Sequence, residues 1–302
     1  MKKILALACL VMVLLVSGCT TTGRKAEIVD NNGLVINDFY IDPETAEAND
    51  EVVVHMEVEN KGWTTATNVD ARLYGTGFAT SVSPSQTQFI GTMRAPDLYT
   101  DPPIPGDLAS KDWVMTVKKF PEGNRYPFPL YLRVFYDYKT SGSAVITAYN
   151  EDEFKRKAMK QDLEAPIVVS NSKGTPVKVL VTGESPVKVD LDSDSDTATY
   201  RITISNVGDG VPITNDENGL VKGRIELIGD AEFAGCMGKD VSGKIVDFDV
   251  KLGKREQARR SCTIKFSKST WQTIPVEPIQ LMFELNYKYY IEKEGTVHII
   301  GG

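Results

Sequence analysis

Leu130-Tyr131-Leu132-Arg133-Val134-Phe135-Tyr136-Asp137-Tyr138 decides the fold, because Leu281-Met282-Phe283-Glu284-Leu285-Asn286-Tyr287-Lys288-Tyr289 repeats its pattern near the other end of the chain. Tyr136 maps to Tyr287 and Tyr138 to Tyr289 at one common offset. In each run apolar residues alternate with others, which places every second side chain on one buried face of a strand. Each run meets turn-forming residues, Thr140-Ser141-Gly142 in one copy and Glu292-Lys293-Glu294-Gly295 in the other. A second apolar stretch follows in both, Ala144 to Tyr149 and Thr296 to Ile300, so each copy predicts a β-hairpin.

Other segments repeat in the same order. Val54, Met56 and Val58 alternate before Asn60-Lys61-Gly62, as Tyr200, Ile202 and Ile204 do before Asn206-Val207-Gly208. Both lead into a turn where glycine can take positive φ. Val69, Ala71 and Leu73 before Gly75 parallel Ile225 and Leu227 before Gly229, and Val114 to Val117 parallels Ser261 to Ile264. Ordered self-similarity of this kind argues for duplication. A sheet with one apolar face must cover it with another sheet. The expectation is an all-β chain of two tandem immunoglobulin-like β-sandwich domains, residues 34–150 and 165–302. If the halves are independent, residues 165–302 should melt cooperatively alone. A short helical connector, 151–164, should join them. Its helix is expected over Glu151 to Leu163, with Glu151/Lys155 and Glu153/Lys157 at i,i+4 spacing and Pro166 beyond.

The N-terminus reads Met1-Lys2-Lys3, then an apolar run from Ile4 to Val16, then Ser17-Gly18-Cys19. Two charges, a short apolar run and small residues make a secretory signal over 1–18, too short for a spanning helix. The small pair before Cys19 resembles the lipobox of prokaryotic lipoproteins. That resemblance implies cleavage before Cys19, acylation of its sulfur and membrane anchoring from outside the cytoplasm. An ordinary signal peptide that happens to contain a cysteine is the alternative. Residues 19–33 would then form a lipidated tether, of which Thr20–Gly33 reaches at most about 50 Å when fully extended.

The chain has 302 residues and a formal charge of −7, and no Lys/Arg run stands out. Nucleic acid is therefore excluded as an expected partner. Of the four cysteines, Cys9 lies in the signal and Cys19 is the lipid site. Cys236 and Cys262 remain, and an oxidising exterior favours a disulfide between them over two buried thiols.

Glu57-Val58-Glu59-Asn60-Lys61-Gly62, followed by Ala66-Thr67-Asn68-Val69 and Leu73-Tyr74, resembles the CARDB-type and S-layer-associated sandwich domains of prokaryotic, especially archaeal, surface proteins. The match covers about residues 34–80. Its echo in 197–229 is weaker because the Ala-x-Asn-Val portion is missing. The resemblance implies an extracellular sandwich with an adhesive or scaffolding role, and it carries no catalytic residues.

No residue pattern points to an enzyme or a cofactor. His55 should face outward from its strand, and His298 sits in the last strand. Neither belongs to a His-Glu-x-x-His or a Gly-x-Ser-x-Gly pattern. Asp190, Asp192, Asp194 and Asp196 alternate like the start of a calcium loop. Counted from Asp192, position 6 is Thr197 and position 12 is Thr203, so the EF-hand pattern fails. A surface Ca²⁺ site at Asp192, Asp194 and Asp196 stands against a merely solvated acidic stretch. Residues 94–112 form a proline-stiffened loop in which Leu98, Tyr99, Pro102, Pro103 and Ile104 could bind a partner. Trp63 and Trp113, flanking it, are expected to be core anchors. The leading expectation is a lipid-anchored extracytoplasmic structural or adhesion protein. Its partners would be the membrane through Cys19, and other envelope proteins or polysaccharide. A solute- or polysaccharide-binding lipoprotein is second, and a hydrolase with paired carboxylates third.

Overall fold

Neither tyrosine run turns back on itself. The computed structural model describes residues 24–30, 32–163, 165–214, 217–252 and 256–302; the expected signal segment and Cys19 lie outside them. In chain order the first half forms β1 (Leu34–Asp42), β2 (Thr45–Ala46), β3 (Glu51–Asn60), β4 (Ala66–Tyr74), β5 (Ala79–Ser83), β6 (Thr87–Met93), β7 (Leu108–Val117) and β8 (Arg125–Asn150). Helix α1 (Glu151–Met159) follows. The second half forms β9 (Val168–Asn171), β10 (Val177–Thr182), β11 (Val187–Val189), β12 (Ser195–Asn206), β13 (Val211–Thr214), β14 (Glu217–Asn218), β15 (Leu220–Ile228), β16 (Glu232–Cys236), β17 (Ile245–Lys251), β18 (Gln257–Ser267), α2 (Lys268–Trp271) and β19 (Val276–Ile300).

The duplication is visible strand by strand. One sheet runs β1-β3-β7-β5 and its counterpart runs β10-β12-β18-β16. Strand β4 lies between β6 and β8, as β15 lies between β17 and β19. The short β2 pairs parallel with β19, and the short β11 pairs parallel with β8. Each four-stranded sheet covers one half of a common 11-stranded sheet, giving two immunoglobulin-like sandwiches.

The expected hairpins are replaced by reciprocal exchange. Strands β8 and β19 are continuous for 26 and 25 residues and pair antiparallel from Arg125↔Ile300 to Tyr149↔Val276. Strand β8 begins beside β4 in the first sandwich and ends beside β9 and β11 in the second. Strand β19 begins beside β15 and ends beside β2. Each sandwich is thus closed by a strand that the other copy supplies. The first body extends to the final residues of the chain, and residues 139–150 belong to the second.

Gly75 and Gly229 take positive φ after their strands, but Gly62 and Gly142 are required by close packing instead. Gly142 is not in the positive-φ region, and a Cβ on it would lie 2.2 Å from the Ser170 carbonyl oxygen and 2.3 Å from Phe283 Cε2. Thr140, expected in a turn, is buried and donates to the Val177 carbonyl (2.9 Å), so the buried alternation continues straight through. Gly62 also lacks positive φ; its Cβ would sit 1.9 Å from Tyr138 Oη.

The centre of the exchange is a cluster of four buried tyrosines. Tyr136 faces Tyr289 and Tyr138 faces Tyr287 across the two strands, around the Asp137↔Lys288 pair. Their hydroxyls hold the strands where they leave each sandwich. Tyr138 accepts from the Thr64 amide (3.2 Å) and donates to the Gly174 carbonyl (3.1 Å). Its counterpart Tyr289 accepts from the Gly210 amide (3.0 Å) and donates to Asn206 Oδ1 (2.9 Å). Tyr287 bonds Thr140 Oγ1 (2.8 Å), and Tyr136 accepts from the Leu34 amide (3.4 Å). Each buried hydroxyl therefore has a partner, without which it would be destabilising. The apolar core continues unbroken from one sandwich to the other.

Helix α1 is shorter than its charge pattern predicts, ending at Met159. Asn150 caps it by accepting from the Glu153 amide (2.9 Å). The Glu151–Lys155 pair forms at 2.8 Å. Glu153 instead pairs with Arg156 and Lys157 with Asp162, because Asp162 lies beyond the helix end within reach of Lys157.

Two outcomes are expected. With a protease site placed between Lys160 and Pro166, the cut chain stays together in native size exclusion and separates only in denaturant. Residues 165–302 alone, lacking β8, do not melt cooperatively; an independent cooperative melt would contradict the exchange. The second outcome concerns pH. Burial pushes Tyr138 up to about 12 and also raises Tyr136, Tyr200, Tyr287 and Tyr289. Below pH 10 these groups are neutral in folded and unfolded chains, so they add no pH dependence. Above it the unfolded chain ionises while the folded chain resists, so the urea midpoint falls as pH rises from 10 towards 12. Absorbance at the tyrosinate band should show these five ionising only with unfolding.

Candidate binding surfaces

The surface that departs most from a plain sandwich lies at one end of β3. Asn60 is fully buried, donates to the carbonyls of Met93 (2.8 Å) and Thr64 (3.1 Å), and accepts from the Gly62 amide (3.0 Å). That bonding fixes the 60–64 turn and turns Trp63 outward. Trp63 is 40% exposed, so it is not the core anchor its residue type suggested. Trp113 is: it is buried and donates Nε1–H to the Ser85 carbonyl (2.9 Å).

Beside Trp63 stands the proline-rich loop, here Arg94 to Asp107, because β7 already begins at Leu108. Its base is closed by Arg94 and Asp107. The Arg94 amide donates to Asp107 Oδ2 (2.8 Å), and the Asp107 amide donates to the Arg94 carbonyl (3.0 Å). Partial burial would raise the Asp107 carboxyl, but the Arg94 guanidinium and amide outweigh it and hold the group below its usual range. Higher up, Asp97 and Ile104 exchange both backbone hydrogen bonds (2.9 and 2.8 Å), and the Asp97 carboxylate accepts from the Tyr99 amide (2.9 Å). The loop is thereby a tied hairpin that displays Leu98, Tyr99, Pro102, Pro103 and Ile104. Tyr99 is 86% exposed and meets Trp63 edge-on at 6.2 Å.

The N-terminal segment runs past the same place. Arg24 Nη1 donates to the Gly106 carbonyl (3.4 Å) and pairs with Glu59 (3.4 Å). Lys61 pairs with Glu27 (3.0 Å), and the Val29 amide donates to the Lys61 carbonyl (2.9 Å). Asn32 exchanges hydrogen bonds with Asp209 of the second sandwich (3.1 and 3.2 Å). The described part of the expected tether is therefore lashed to the body, crossing from one sandwich to the other.

The remaining candidates are placed as follows. Cys236 and Cys262 are bonded to each other across β16 and β18, inside the second core. Asp192, Asp194 and Asp196 do not converge. Among the described residues, Glu151, Asp190 and Asp192 do, with Lys155 and Lys188 alongside, and Asp196 is engaged by the Asp190 amide (2.8 Å). The Asp190 carboxyl is held low first by the Asp192 amide and then by Lys188. His55 faces outward as its position implied, bonded to Asp112 (2.6 Å) and stacked on Tyr40.

An open groove of about 580 Å³ lies at the junction of the sandwiches, lined by Thr64, Thr67, Asp137, Lys139, Thr214 and Lys288 among others. Its charges are engaged: Asn68 donates to Asp137 (2.7 Å), Lys139 pairs with Glu284 (2.5 Å), and Lys288 lies 3.9 Å from Asp70. Lys139 and then Asn286 hold the Glu284 carboxyl low. Every carboxylate with a displaced pKa among the described residues is displaced downward. A general acid at neutral pH needs the opposite shift.

These features define an all-β protein of two immunoglobulin-like sandwiches joined through exchanged strands. No family model and no curated protein matches the chain. Among solved structures, a mutant Salmonella alpha-2-macroglobulin is 9% identical, with a TM-score of 0.19, over 90% of this chain and 17% of that one. An Escherichia coli alpha-2-macroglobulin activated by porcine elastase is 8% identical, with a TM-score of 0.18, over 89% and 33%. The collagen adhesin of S. aureus is 10% identical, with a TM-score of 0.13, over 92% and 96%. This chain thus spans a third or less of the macroglobulin chains, and at such scores the likenesses carry no argument. The fold assignment stands on the strand order.

Removing the disulfide should be felt in stability. Cys236 and Cys262 are 26 residues apart. Closing a loop of that size stabilises by about 3.5 kcal/mol on the chain-entropy account. Cys236→Ala with Cys262→Ala should lower the unfolding free energy by about that amount in urea. Intact mass should rise by two hydrogen atoms on reduction, and no rise would mean free thiols.

Proposed function

We propose that this chain is a lipid-anchored, extracytoplasmic structural or adhesion protein that presents two fused immunoglobulin-like lobes. The observation that carries the reading is the pair of continuous strands through both lobes. Proteins that enclose a solute between two lobes close by hinge motion of a few linking residues. Here the lobes are linked along the full length of β8 and β19, and the groove between them is open with its charged side chains paired. Such a body suits holding a fixed shape better than closing on a solute. In the groove Asp137 is bonded to Asn68 and Glu284 is paired with Lys139, an arrangement that does not favour the hydrolase reading. The Ser17-Gly18-Cys19 motif supports the anchor, and the disulfide accords with an oxidising exterior. The resemblance of residues 34–80 to CARDB-type surface domains points the same way.

The anchor and the role are tested separately. Cys19→Ala should move the protein from the membrane fraction to the soluble one; its retention would defeat the anchor. Proteoliposomes carrying the full lipoprotein should bind isolated cell envelopes saturably, while empty liposomes do not. Absence of binding, or turnover of a polysaccharide by the purified protein, would overturn the structural role.

A further inference from the structure

The exposed apolar loop and the start of the described chain are neighbours, and their proximity has a functional meaning. Tyr99, Ile104, Trp63 and Leu98 are 86%, 55%, 40% and 38% exposed, and they surround one hairpin tip and the turn beside it. Tryptophan and tyrosine favour the boundary between water and acyl chains, where an apolar ring and a polar edge are both accommodated. The loop carries Asp97, Asp101 and Asp107, yet Asp97 is taken by the Tyr99 amide and Asp107 by Arg94. Arg94 neutralises Asp107 at the base of the loop, while Asp97 keeps its charge with an amide partner and Asp101 is exposed, so the tip enters only to the depth of its aromatic rings.

The first lobe alone carries this loop. Its β6–β7 link runs from Arg94 to Asp107, whereas the equivalent β17–β18 link of the second lobe is only Leu252 to Glu256. The turn counterpart of Trp63, counted from Asn60 and Asn206, is Asp209. A duplicated fold has thus acquired an apolar tip in one copy, and it is the copy against which the N-terminal segment leaves. Arg24 is hydrogen-bonded to Gly106 within that loop. From Cys19 to Arg24 the chain reaches at most about 18 Å whatever path it takes.

We propose that Trp63, Leu98, Tyr99 and Ile104 form a wedge that inserts into the interface of the bilayer holding the lipid anchor. The proposal rests on the reading of Cys19 as the lipid site. Together the two contacts fix the body's orientation as well as its attachment: one lipid point lets the body swivel, and a second contact beside it sets which face looks at the membrane. The loop is then a footing, and recognition of envelope partners falls to surfaces away from it.

The test uses the full lipoprotein in phosphatidylcholine vesicles with brominated acyl chains. Trp113 and Trp271 are fully buried, so Trp63 is the tryptophan open to lipid quenching. Part of the tryptophan emission should be lost relative to unbrominated vesicles, with Trp63 shielded from aqueous iodide. Trp63→Phe should abolish that loss without changing the melting temperature. Tyr99→Asp combined with Ile104→Asp should weaken the quenching of Trp63 and restore iodide access, while the protein stays with the vesicles. Anchored protein whose emission is not quenched, or equal quenching in Trp63→Phe, would overturn the wedge. Iodide protection in detergent at dimer mass would assign the face to a second copy and overturn it as well. Failure of the anchor itself is separately visible: intact mass would show no acyl chains and the protein would not float with vesicles, and both readings would then fall.

Discussion

Everything in this molecule depends on the pairing of β8 with β19. An immunoglobulin-like sandwich needs a closing strand at the edge of its second sheet, or it leaves a row of unpaired backbone groups and an uncovered apolar face. Each copy here obtains that strand from the other. The tyrosine cluster is where the exchange is secured. Tyr138 and Tyr289 bond the turns at Thr64 and Gly210, where β8 and β19 leave their own lobes, so strand direction is set by buried hydrogen bonds. The absence of a side chain at Gly62 and Gly142 admits the Tyr138 hydroxyl and the Phe283 ring that make this packing possible.

Much of this was legible in the residues. The alternation of Leu130, Leu132, Val134, Tyr136 and Tyr138, and its repetition at Leu281 to Tyr289, correctly marks two equivalent strands with one buried face. The strand-by-strand correspondence of the halves follows from the same patterns. What the sequence did not disclose is connectivity. Thr140-Ser141-Gly142 has the composition of a turn, and local propensity cannot distinguish a closed hairpin from a strand that continues into a neighbour. The deciding facts are long-range: a ring from Phe283 against Gly142, and a carbonyl at Val177 for the buried Thr140. The same limit applies to Gly62, whose role is set by the Tyr138 hydroxyl and not by its own φ.

The candidate surfaces divide similarly. The prolines mark a loop, and Leu98, Tyr99 and Ile104 are exposed on it, but what the loop meets is not written in those residues. Residue type points Trp63 to the core, because a large aromatic near two strands is usually buried, whereas Asn60 takes the buried position and Trp63 faces outward. The aspartate run suggested convergence from sequence spacing alone, but Asp196 is spent on the Asp190 amide while Glu151, from another element, joins Asp190 and Asp192. The lashing of Arg24, Lys61 and Asn32 had no sequence signal, since each is an ordinary polar residue whose partner lies far along the chain or in the other lobe.

The exchanged strands also impose an order on biogenesis. Ala46 waits for Ile299 and Arg125 for Ile300, so the N-terminal lobe cannot be completed until the last few residues have been synthesised and delivered. The chain cannot assemble one lobe at a time as it emerges, as independent modules do. It must be carried as an open polypeptide and close both lobes in one late event with contacts of high sequence separation, which is intrinsically slow. A premature stop near the C-terminus would leave the N-terminal lobe, the one made first, without its closing strand.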